Sequence, residues 1–497
     1  MTQEKKSLLL YFLLFSVFLT LPFLEFISYN LNTVKKNEEL VVNFLTLKRL
    51  SIIYCFFVLI LFFILIILNY NKKNIFLAGL FLTSSYVIIF NYNTVKKIIN
   101  KNFFIDNPYL IKFTGYISLV IISLIILVFF YFLKKKNKFL IKFLLIFFFL
   151  SILFESYKIF FPKKPSILID QNLPLKKLKL NGTKRKNIYY FILDAMPPLE
   201  DFDRIFNNDS SLFLKELEDN SFYQIKDSFS NYGSTYYNIG SILHLGNFEE
   251  YLKLNSSVSY KHLYPTVLRK SNTPTSLEYN LNEIGYSFKW IGNYHMNCQA
   301  YNRDYCISEL DLQKSIIFNY ENKSFLNKSP IFPILSKLLN IFGLDYENKF
   351  AFDTNNSLKN FMNYIKNFDI KKNNQFFLIH DLKTHWPYLM DSNCNYKHFK
   401  GRNNLKGIKN AINCSRDQIL EISKLISKKD PEALVIFQSD HNWELSNINQ
   451  NKYGKRNRIF NIIKLNQYCK DKIEQFNTHI NTINYSLHCA TESILNF

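Results

Sequence analysis

Long apolar runs are concentrated in the first third of the chain. Five segments there are almost continuously hydrophobic, and each approaches the roughly 17 to 25 residues that a membrane-spanning helix needs. They cover residues 7–29, 51–68, 75–90, 109–132 and 139–161. The third segment is the weakest, because Gly79, Ser84 and Ser85 interrupt it. The pattern predicts an all-α transmembrane bundle of five helices over residues 1–161.

A cleaved secretory signal is the main alternative for the first apolar segment, because Lys5 and Lys6 precede it. No small-residue cleavage site follows in the sequence, so we expect the segment to be retained. The loops NKKN at 71–74 and KKKNK at 134–138 are short and basic, which favours an N-terminus on the inner side. The outer loops also contain lysines, so this preference is modest. Five spans then place the chain after about residue 162 outside the membrane.

The pattern changes after the last apolar segment. Residues 162–186 are rich in proline and charge and are typical of a linker near the membrane surface. The run NIYYFILD at 187–194 then has the length of a buried strand. Similar runs follow as YSFKWIGN at 286–293, QFFLIHDLKTH at 375–385 and ALVIFQSDH at 433–441.

Stretches with helical periodicity separate these runs, for example SSLFLKELEDN at 210–220 and SRDQILEISKLISKK at 415–429. Nearly continuous apolar strands that alternate with helices are typical of a parallel sheet covered on both faces. Residues 187–497 are therefore predicted to form an α/β domain with a mostly parallel sheet between helices.

The cysteines support an external position for this domain. Six of the seven lie in the soluble part, in close pairs: Cys298 with Cys306, Cys394 with Cys414, and Cys469 with Cys489. The chain has no Cys-x-x-Cys sequence of the kind that zinc sites use. Three local disulfides in an oxidising compartment are therefore the favoured interpretation.

The formal net charge is +22, which raises the question of a nucleic-acid partner. The lysines are scattered along the whole chain and no nucleic-acid-binding motif is present, so we expect no nucleic-acid partner. Attraction to an anionic membrane surface or an anionic substrate is the simpler interpretation.

Polar side chains follow the predicted strands where each strand ends. They are Asp194, His380, His385, Asp440 and His441. In open α/β sheets, ligands bind beyond the carboxyl ends of the strands, so we expect these side chains on one rim. An acidic residue after a strand often caps the next helix, and this is the simplest interpretation of Asp194 alone. Carboxylates and imidazoles together predict a site for a divalent ion such as zinc or manganese.

The stretch FSNYGSTYYNIGSIL at 229–243 offers hydroxyl groups for such a site, namely Ser230, Ser234, Thr235 and Ser241. A metal that bonds a hydroxyl oxygen can favour the alkoxide, which then attacks phosphorus. The stretch also resembles the start of a helix, and hydroxyl residues there are commonly helix caps. Taken alone, it does not distinguish a nucleophile from a cap.

The motifs in their order resemble a known family. The succession YYFILD, SNYGSTYYNIGSIL, HDLKTHWPY and IFQSDH is similar to the sulfatase-like branch of the alkaline phosphatase superfamily. Within it, the chain resembles membrane-anchored lipoteichoic acid synthases and lipid A phosphoethanolamine transferases, which carry a five-helix anchor before an extracytoplasmic catalytic domain. The resemblance extends from about residue 186 to the end. It implies a multi-pass protein of the bacterial inner membrane with a periplasmic catalytic domain.

The resemblance assigns roles to individual residues. It implies that Thr235 is both the nucleophile and a metal ligand, and that Asp194, Asp440 and His441 complete the metal site. The motif THWPY places His385 near the substrate phosphate, and His380 matches a second histidine that either binds substrate or only supports the site. The cysteine pairs before the DH strand and near the C-terminus resemble disulfides of periplasmic members.

Two features depart from the family pattern. Asn442 and Trp443 follow the Asp-His pair, where the family usually has glycine. Glycine permits a close backbone approach, so we expect either a different turn or substrate path, or a degenerate site. The sequence Cys-x-Pro-x-Arg, from which sulfatases make formylglycine, is absent, so sulfatase activity is not expected.

The favoured function is a metal-dependent phosphotransferase. It would move a phospholipid headgroup, of the phosphoethanolamine or phosphoglycerol type, onto a surface glycan or lipid through a phospho-threonine. A hydrolase that releases the headgroup to water would use the same residues, and a surface-assembly protein with a decayed site is the non-enzymatic alternative. The sequence predicts no oligomeric state.

Overall fold

The protein is described from a computed structural model. It describes residues 108–135, 138–160, 175–247, 274–292, 305–307, 356–367 and 374–493, with six isolated positions before residue 90. The first three predicted membrane segments therefore lie almost entirely outside the described residues. The chain divides into two compact units, Met1–Ile167 with Lys314–Asp345, and Leu168–Gln313 with Tyr346–Phe497.

In the first unit, the fourth and fifth predicted segments are helices. Helix α1 is Pro108–Lys134 and helix α2 is Lys138–Phe160. Many of their large apolar side chains are exposed, including Leu127 and Phe149. Counted over the described residues alone, no helix is long and apolar enough to cross a membrane. The five-helix membrane bundle remains a prediction.

The second unit is built on a seven-stranded sheet in the order β2-β9-β8-β1-β5-β3-β4. Strands β8, β1, β5, β3 and β4 are parallel, and β9 and β2 add an antiparallel edge. Two further strands, β6 and β7, form an antiparallel pair. The strands are β1 Ile188–Leu193, β2 Tyr223–Gln224, β3 Ser287–Ile291, β4 Tyr305–Ile307, β5 Gln375–Asp381, β6 Tyr388–Met390, β7 Tyr396–Phe399, β8 Leu434–Gln438 and β9 Asn461–Lys464. The predicted mostly parallel sheet is confirmed.

Helices cover the sheet, as predicted. The α-helices of this unit within the described residues are α3 Leu199–Phe206, α4 Ser211–Glu218, α5 Thr235–His244, α6 Ser276–Glu283, α7 Ser357–Asn367, α8 Leu405–Lys429, α9 Gln450–Tyr453 and α10 His479–Thr491. Two 3₁₀ helices, Glu444–Asn447 and Gln467–Gln475, accompany them. The helical stretch expected at 210–220 contains α4, and the stretch expected at 415–429 lies within α8.

Strand β1 shows why the chain forms this sheet. All six of its residues are buried. Because side chains alternate along a strand, Tyr189, Phe191 and Leu193 belong to one apolar cluster, and Ile188, Tyr190 and Ile192 belong to the other. An apolar run without polar interruptions is the pattern expected of a strand that is covered on both faces.

The second half of the predicted linker packs on this unit. The backbone amide of Leu178 donates to Asn280 Oδ1 at 2.7 Å, and the amide of Gly182 donates to Ser493 Oγ at 2.8 Å. A Cβ atom at Gly182 would lie 1.6 Å from the carbonyl oxygen of Thr491, so only glycine fits there. The chain is therefore held against the α/β unit from residue 175 up to the start of β1.

Two of the three expected disulfides are present among the described residues. Cys394 bonds Cys414, and Cys469 bonds Cys489, with Cα–Cα distances of 5.2 Å and 5.8 Å. The first ties the turn between β6 and β7 to α8, and the second ties a 3₁₀ helix to α10. The third expected pair includes Cys298, which lies outside the described residues.

Candidate active site

Strands β1 and β8 are parallel neighbours, and polar residues follow both at the same edge of the sheet. Asp194 follows β1 directly, and Asp440 and His441 follow β8 after one residue. All three are buried, and one ligand atom from each lies within 4.8 Å of the others. The structure thus brings Asp194, Asp440 and His441 together at one edge of the sheet.

Thr235 meets this cluster as the first residue of α5. Its Oγ1 lies 3.2 Å from His441 Nε2 and 3.4 Å from Asp194 Oδ2. Ser234 occupies the helix-cap position with an extended backbone, but its side chain makes no cap hydrogen bond. Ser241 lies one to two turns further along, where its Oγ donates to the carbonyl oxygen of Asn238. Among the four candidate hydroxyls, these contacts place Thr235 beside the carboxylates.

Asn238 fastens the start of α5 to the strand end. Its Nδ2 donates to the carbonyl oxygens of Asp440 and Tyr232, each at 2.7 Å, and its Oδ1 accepts from the amide of Tyr232 at 3.0 Å. The side chain is completely buried. A buried amide with its donors and acceptor satisfied fixes the position of the loop before Thr235 relative to Asp440.

The carboxylates of Asp194 and Asp440 and the imidazole of His441 each present an atom that could bind a metal ion. His441 Nδ1 lies 2.9 Å from the carbonyl oxygen of Asn442, which can only accept, so Nδ1 carries the hydrogen and Nε2 carries the lone pair. Asp440 Oδ1 accepts from the amides of Ala195 and His441. Within the described part of the chain, Asp194 Oδ1 and Asp440 Oδ2 are buried without hydrogen-bond partners.

Both of these oxygens instead face His441 Nε2, at 3.9 Å for Asp194 and 3.3 Å for Asp440. Buried carboxylate oxygens without donors are costly unless a cation satisfies them. Two carboxylates, an imidazole nitrogen and a hydroxyl oxygen form a donor set that zinc accepts. The residues present therefore fit a divalent metal ion.

The two histidines of β5 and its following turn differ in exposure. His380 is completely buried, and its Nε2 lies 3.3 Å from Asp194 Oδ2. His385 is partly exposed, and its Nε2 lies 3.3 Å from Glu444 Oε1. Burial disfavours the charged form of His385, but the carboxylates of Asp194 and Glu444 outweigh it and raise its pKa to about 9. The two carboxylates therefore favour the protonated form of His385.

Glu444 is a buried carboxylate that several cations share. In addition to His385, Arg402 Nη2 contacts its Oε2 at 3.0 Å and Arg456 Nη2 lies 4.0 Å from its Oε1. The hydrogen bond from His385 is the main cause that lowers the pKa of Glu444 to about 2, against the effect of burial, and both arginines add to it. For Asp194, burial acts against ionisation, yet His385, with smaller effects from the other nearby histidines, holds the pKa of Asp194 below its usual range.

Asn442 and Trp443, which depart from the family pattern, directly follow His441, but their side chains contact residues outside the metal-ligand cluster. Asn442 donates to Asp201 Oδ2 at 3.1 Å, and its φ angle is not positive, so this position does not demand glycine here. Trp443 is buried in an apolar cluster, and its Nε1 donates to the carbonyl oxygen of Tyr453 at 2.7 Å. Neither substitution removes a ligand atom from the cluster.

Three contributors were not expected from the sequence: Asn238, Glu444 and Arg456. Asn238 lies inside the hydroxyl-rich stretch, for which the prediction considered only hydroxyl side chains. Glu444 follows the Asp-His pair by three residues, and that proximity was its only sequence signal. Arg456 belongs to the basic run KYGKRNR, and nothing in the sequence distinguishes it from Lys455 or Arg458.

The comparison with protein families agrees with the motifs. Residues 248–488 match the family model described as Sulfatase. The match includes Asp440 and His441 and begins after Asp194 and Thr235. Residues 248–488 are thus similar to the sulfatase family. No protein of curated function matches the chain in sequence.

Several solved structures are similar to the chain at low identity. The C-terminal periplasmic domain of EcEptC from Escherichia coli, in complex with zinc, is 13% identical over 64% of this chain and 87% of its own, with a TM-score of 0.42. The corresponding domain of the phosphoethanolamine transferase EptC from Campylobacter jejuni is 10% identical over 65% and 100%, with a TM-score of 0.38. The integral membrane phosphoethanolamine transferase EptA from Neisseria meningitidis is 11% identical over 95% of each chain, with a TM-score of 0.39.

Proposed function

We propose that the protein is a membrane-anchored, metal-dependent phosphotransferase with Thr235 as its nucleophile. It would move a phosphoethanolamine-type or phosphoglycerol-type headgroup from a phospholipid donor to a glycan or lipid acceptor. The proposal rests on the position of the Thr235 hydroxyl, which lies 3.2 Å from His441 Nε2 and 3.4 Å from Asp194 Oδ2. Beside it are two carboxylate oxygens that have no donor within the described part of the chain.

Asp194, Thr235, Asp440 and His441 would hold the metal, for which zinc and manganese both suit the donor set. When bound, the ion would stabilise the alkoxide form of the hydroxyl and the negative charge that develops on phosphorus. The protein residues keep the ligands in place. Asn238 fixes the loop before Thr235, the Asn442 carbonyl fixes the tautomer of His441, and buried His380 would support Asp194.

The reaction would proceed in two displacements. The Thr235 oxygen forms a bond to the headgroup phosphorus, and the bond from phosphorus to the glycerol oxygen breaks. Asp194 Oδ2 is near enough to receive the hydroxyl proton. His385, whose Nε2 lies 3.3 Å from Glu444 Oε1, would donate a proton to the leaving oxygen. In the second displacement, the hydroxyl oxygen of the acceptor would bond to phosphorus and the bond from phosphorus to the Thr235 oxygen would break. The acceptor hydroxyl would lose its proton to His385, and Thr235 would regain the proton held by Asp194.

The location of the reaction follows from the same proposal. Five apolar segments would anchor the chain in a bacterial inner membrane and leave the catalytic unit on the periplasmic side. There it would reach the donor lipid, and disulfides can form in that oxidising compartment. The two disulfides formed among the described residues are compatible with that compartment.

Intact-mass analysis of the purified full-length chain would test the nucleophile. After incubation with zinc and a phospholipid that carries a labelled headgroup, we expect labelled protein, with the label on the peptide that contains Thr235. Label that fragmentation of this peptide assigns to Ser234, or no labelled protein together with undiminished turnover, would contradict the proposal. Headgroup released only to water in the presence of acceptor lipids would instead assign the hydrolase activity.

A further inference from the structure

Arg456 lies under the loop that carries the proposed nucleophile and is largely buried. Its Nη1 donates to the carbonyl oxygens of Asn442 and Trp443, at 2.6 Å and 3.1 Å. Its Nε points to the carbonyl oxygen of Gly233 at 3.4 Å, two residues before Thr235. The guanidinium group is thus held by the backbone on both sides of the site, by the turn after β8 and by the loop before α5.

The remaining nitrogen of Arg456 faces the reacting groups. Nη2 lies 2.9 Å from His441 Nε2, the atom that Thr235 Oγ1 also contacts at 3.2 Å. A cationic donor and the proposed nucleophile therefore meet at one ring nitrogen. This placement differs from that of Arg402, whose side chain is largely exposed and contacts Glu444 Oε2.

The single lone pair of His441 Nε2 limits the hydrogen bonds that Arg456 Nη2 can make. A neutral imidazole nitrogen has a single in-plane lone pair, which can serve a guanidinium donor or a metal ion but not both. When His441 acts as a metal ligand, the Nη2 donors therefore need another acceptor. Glu444 Oε1 at 4.0 Å already interacts with His385, so it does not satisfy them by itself.

The charges around Glu444 leave a surplus of positive charge beside the site. The guanidinium groups of Arg402 and Arg456 lie 3.0 Å and 4.0 Å from this one carboxylate. A metal ion would offset the charges of Asp194 and Asp440, so those carboxylates would not neutralise the surplus. An anionic group that approaches Thr235 would therefore enter a field of positive charge.

We propose that Arg456 binds a non-bridging oxygen of the phosphoryl group that is transferred to Thr235. The planar guanidinium group matches phosphate oxygens, and a donor fixed by backbone carbonyls needs little reorganisation when charge develops on phosphorus. This inference rests on the proposed function and adds to it a cation that neither the family match nor the motifs assign. Arg456 would act on the phosphoryl group itself, so the inference applies to every headgroup of this class.

Two binding measurements on the purified full-length chain test the inference. The first measures zinc affinity by competition with a chromogenic chelator, and the second measures the affinity of the zinc-loaded chain for inorganic phosphate by calorimetry. For Arg456→Gln we expect phosphate affinity to fall about 10- to 100-fold, the effect of one lost charge-assisted hydrogen bond. Zinc affinity should be unchanged or higher, because a competitor for the His441 lone pair is gone.

Arg458→Gln is the matched control. Arg458 lies two residues further on and faces Glu200 and Asp227, at 3.8 Å and 3.9 Å, instead of the site. We expect it to leave both affinities within about twofold of wild type, as for other substitutions outside the site. Arg456→Lys keeps the charge without the planar fork, so its phosphate affinity should lie between those of Arg456→Gln and wild type.

The outcomes separate this inference from the proposed function. Unchanged phosphate affinity in Arg456→Gln would overturn the inference, and Thr235 labelling in wild type would leave the proposed function intact. A parallel loss of zinc and phosphate affinity, with a lower melting temperature, would assign Arg456 a structural role and also overturn the inference. If wild type binds neither zinc nor phosphate, the proposed function fails and the inference fails with it.

Discussion

The two ends of the central strands are built differently. At the amino ends of β1 and β8, Asp430 Oδ2 accepts from Asn187 Nδ2 at 2.7 Å and from the Tyr189 hydroxyl at 3.0 Å. At the carboxyl ends of the same strands, Asp194 and Asp440 each keep one buried oxygen without a donor among the described residues. At the amino ends of these strands an aspartate carboxylate thus contributes to stability, whereas at the carboxyl ends the aspartates present oxygens that a cation could bind.

This difference separates stability from function along a single pair of strands. A satisfied buried carboxylate supports the fold, whereas an unsatisfied one costs free energy that a ligand can recover. Substitutions at the amino ends should therefore lower stability and leave the site chemistry unchanged. Substitutions at the carboxyl ends should remove metal binding or turnover with a smaller effect on stability.

The largest expected effect is the loss of headgroup transfer in Thr235→Ala. Removal of a covalent nucleophile typically lowers turnover by a thousandfold or more, about the scale expected here. Ser234→Ala is the control, because the Ser234 side chain makes no cap hydrogen bond. Its turnover should stay within about threefold of wild type. Transfer rates for labelled phospholipid, with melting temperatures for both variants, check this, and comparable losses in the two variants would contradict it.

A smaller effect is expected at the amino end from the Cys469–Cys489 disulfide. The amide of Lys186, just before β1, donates to the carbonyl oxygen of Ala490, so this bridge lies near the amino end of β1. A disulfide that closes a loop of this length contributes about 3 kcal/mol to the free energy of unfolding. The double variant Cys469→Ser, Cys489→Ser should lose about that amount in chemical denaturation. Zinc affinity per folded chain should not change.

The smallest expected effect is a pH dependence from His479, at the carboxyl end. His479 is buried and lies against the Ser439 carbonyl oxygen at 2.9 Å. Burial lowers its pKa from 6.5 to about 4. Between these two values, the unfolded chain binds a proton that the folded chain does not, so stability falls as pH falls through this window and is recovered above it.

The size of that effect is limited to about 1.4 kcal/mol per pH unit for one group. His479→Gln retains a side-chain donor without the titrating ring. Its free energy of unfolding should therefore depend less on pH between 4 and 6.5 than that of wild type. Equal slopes for the two proteins, measured by denaturant titration across this range, would show that His479 does not contribute.

The sequence predicted the sheet because its strands are marked locally. The runs around β1 and β8 are mainly apolar and are followed closely by Asp194 and Asp440, so strand identity and the common rim both follow from the pattern. The order of strands in the sheet depends on long-range packing, and no local signal reports that β1 lies between β5 and β8. The antiparallel edge formed by β9 was missed for the same reason.

The site shows the same limit. Thr235, Asp194 and the Asp-His pair belong to recognisable motifs, whereas Arg456 and Glu444 act through positions fixed only in the fold. Arg456 reaches the site because the segment after α9 pairs with the loop before α5, where the Ser230 amide donates to the Asn457 carbonyl oxygen at 2.7 Å. Its neighbour Arg458 has the same chemistry and points to other carboxylates. Residue type alone therefore does not identify such a contributor.

The central claim is that the carboxyl ends of β1 and β8 hold a divalent metal ion that their amino ends do not need. Zinc titration of the purified full-length wild type, Asp440→Asn and Asp430→Asn tests it most directly. We predict stoichiometric zinc in wild type and in Asp430→Asn, and an affinity at least about 100-fold lower in Asp440→Asn. Asp430→Asn should instead unfold more easily, by about 1 to 3 kcal/mol. Zinc binding in Asp440→Asn as tight as in wild type would contradict the account.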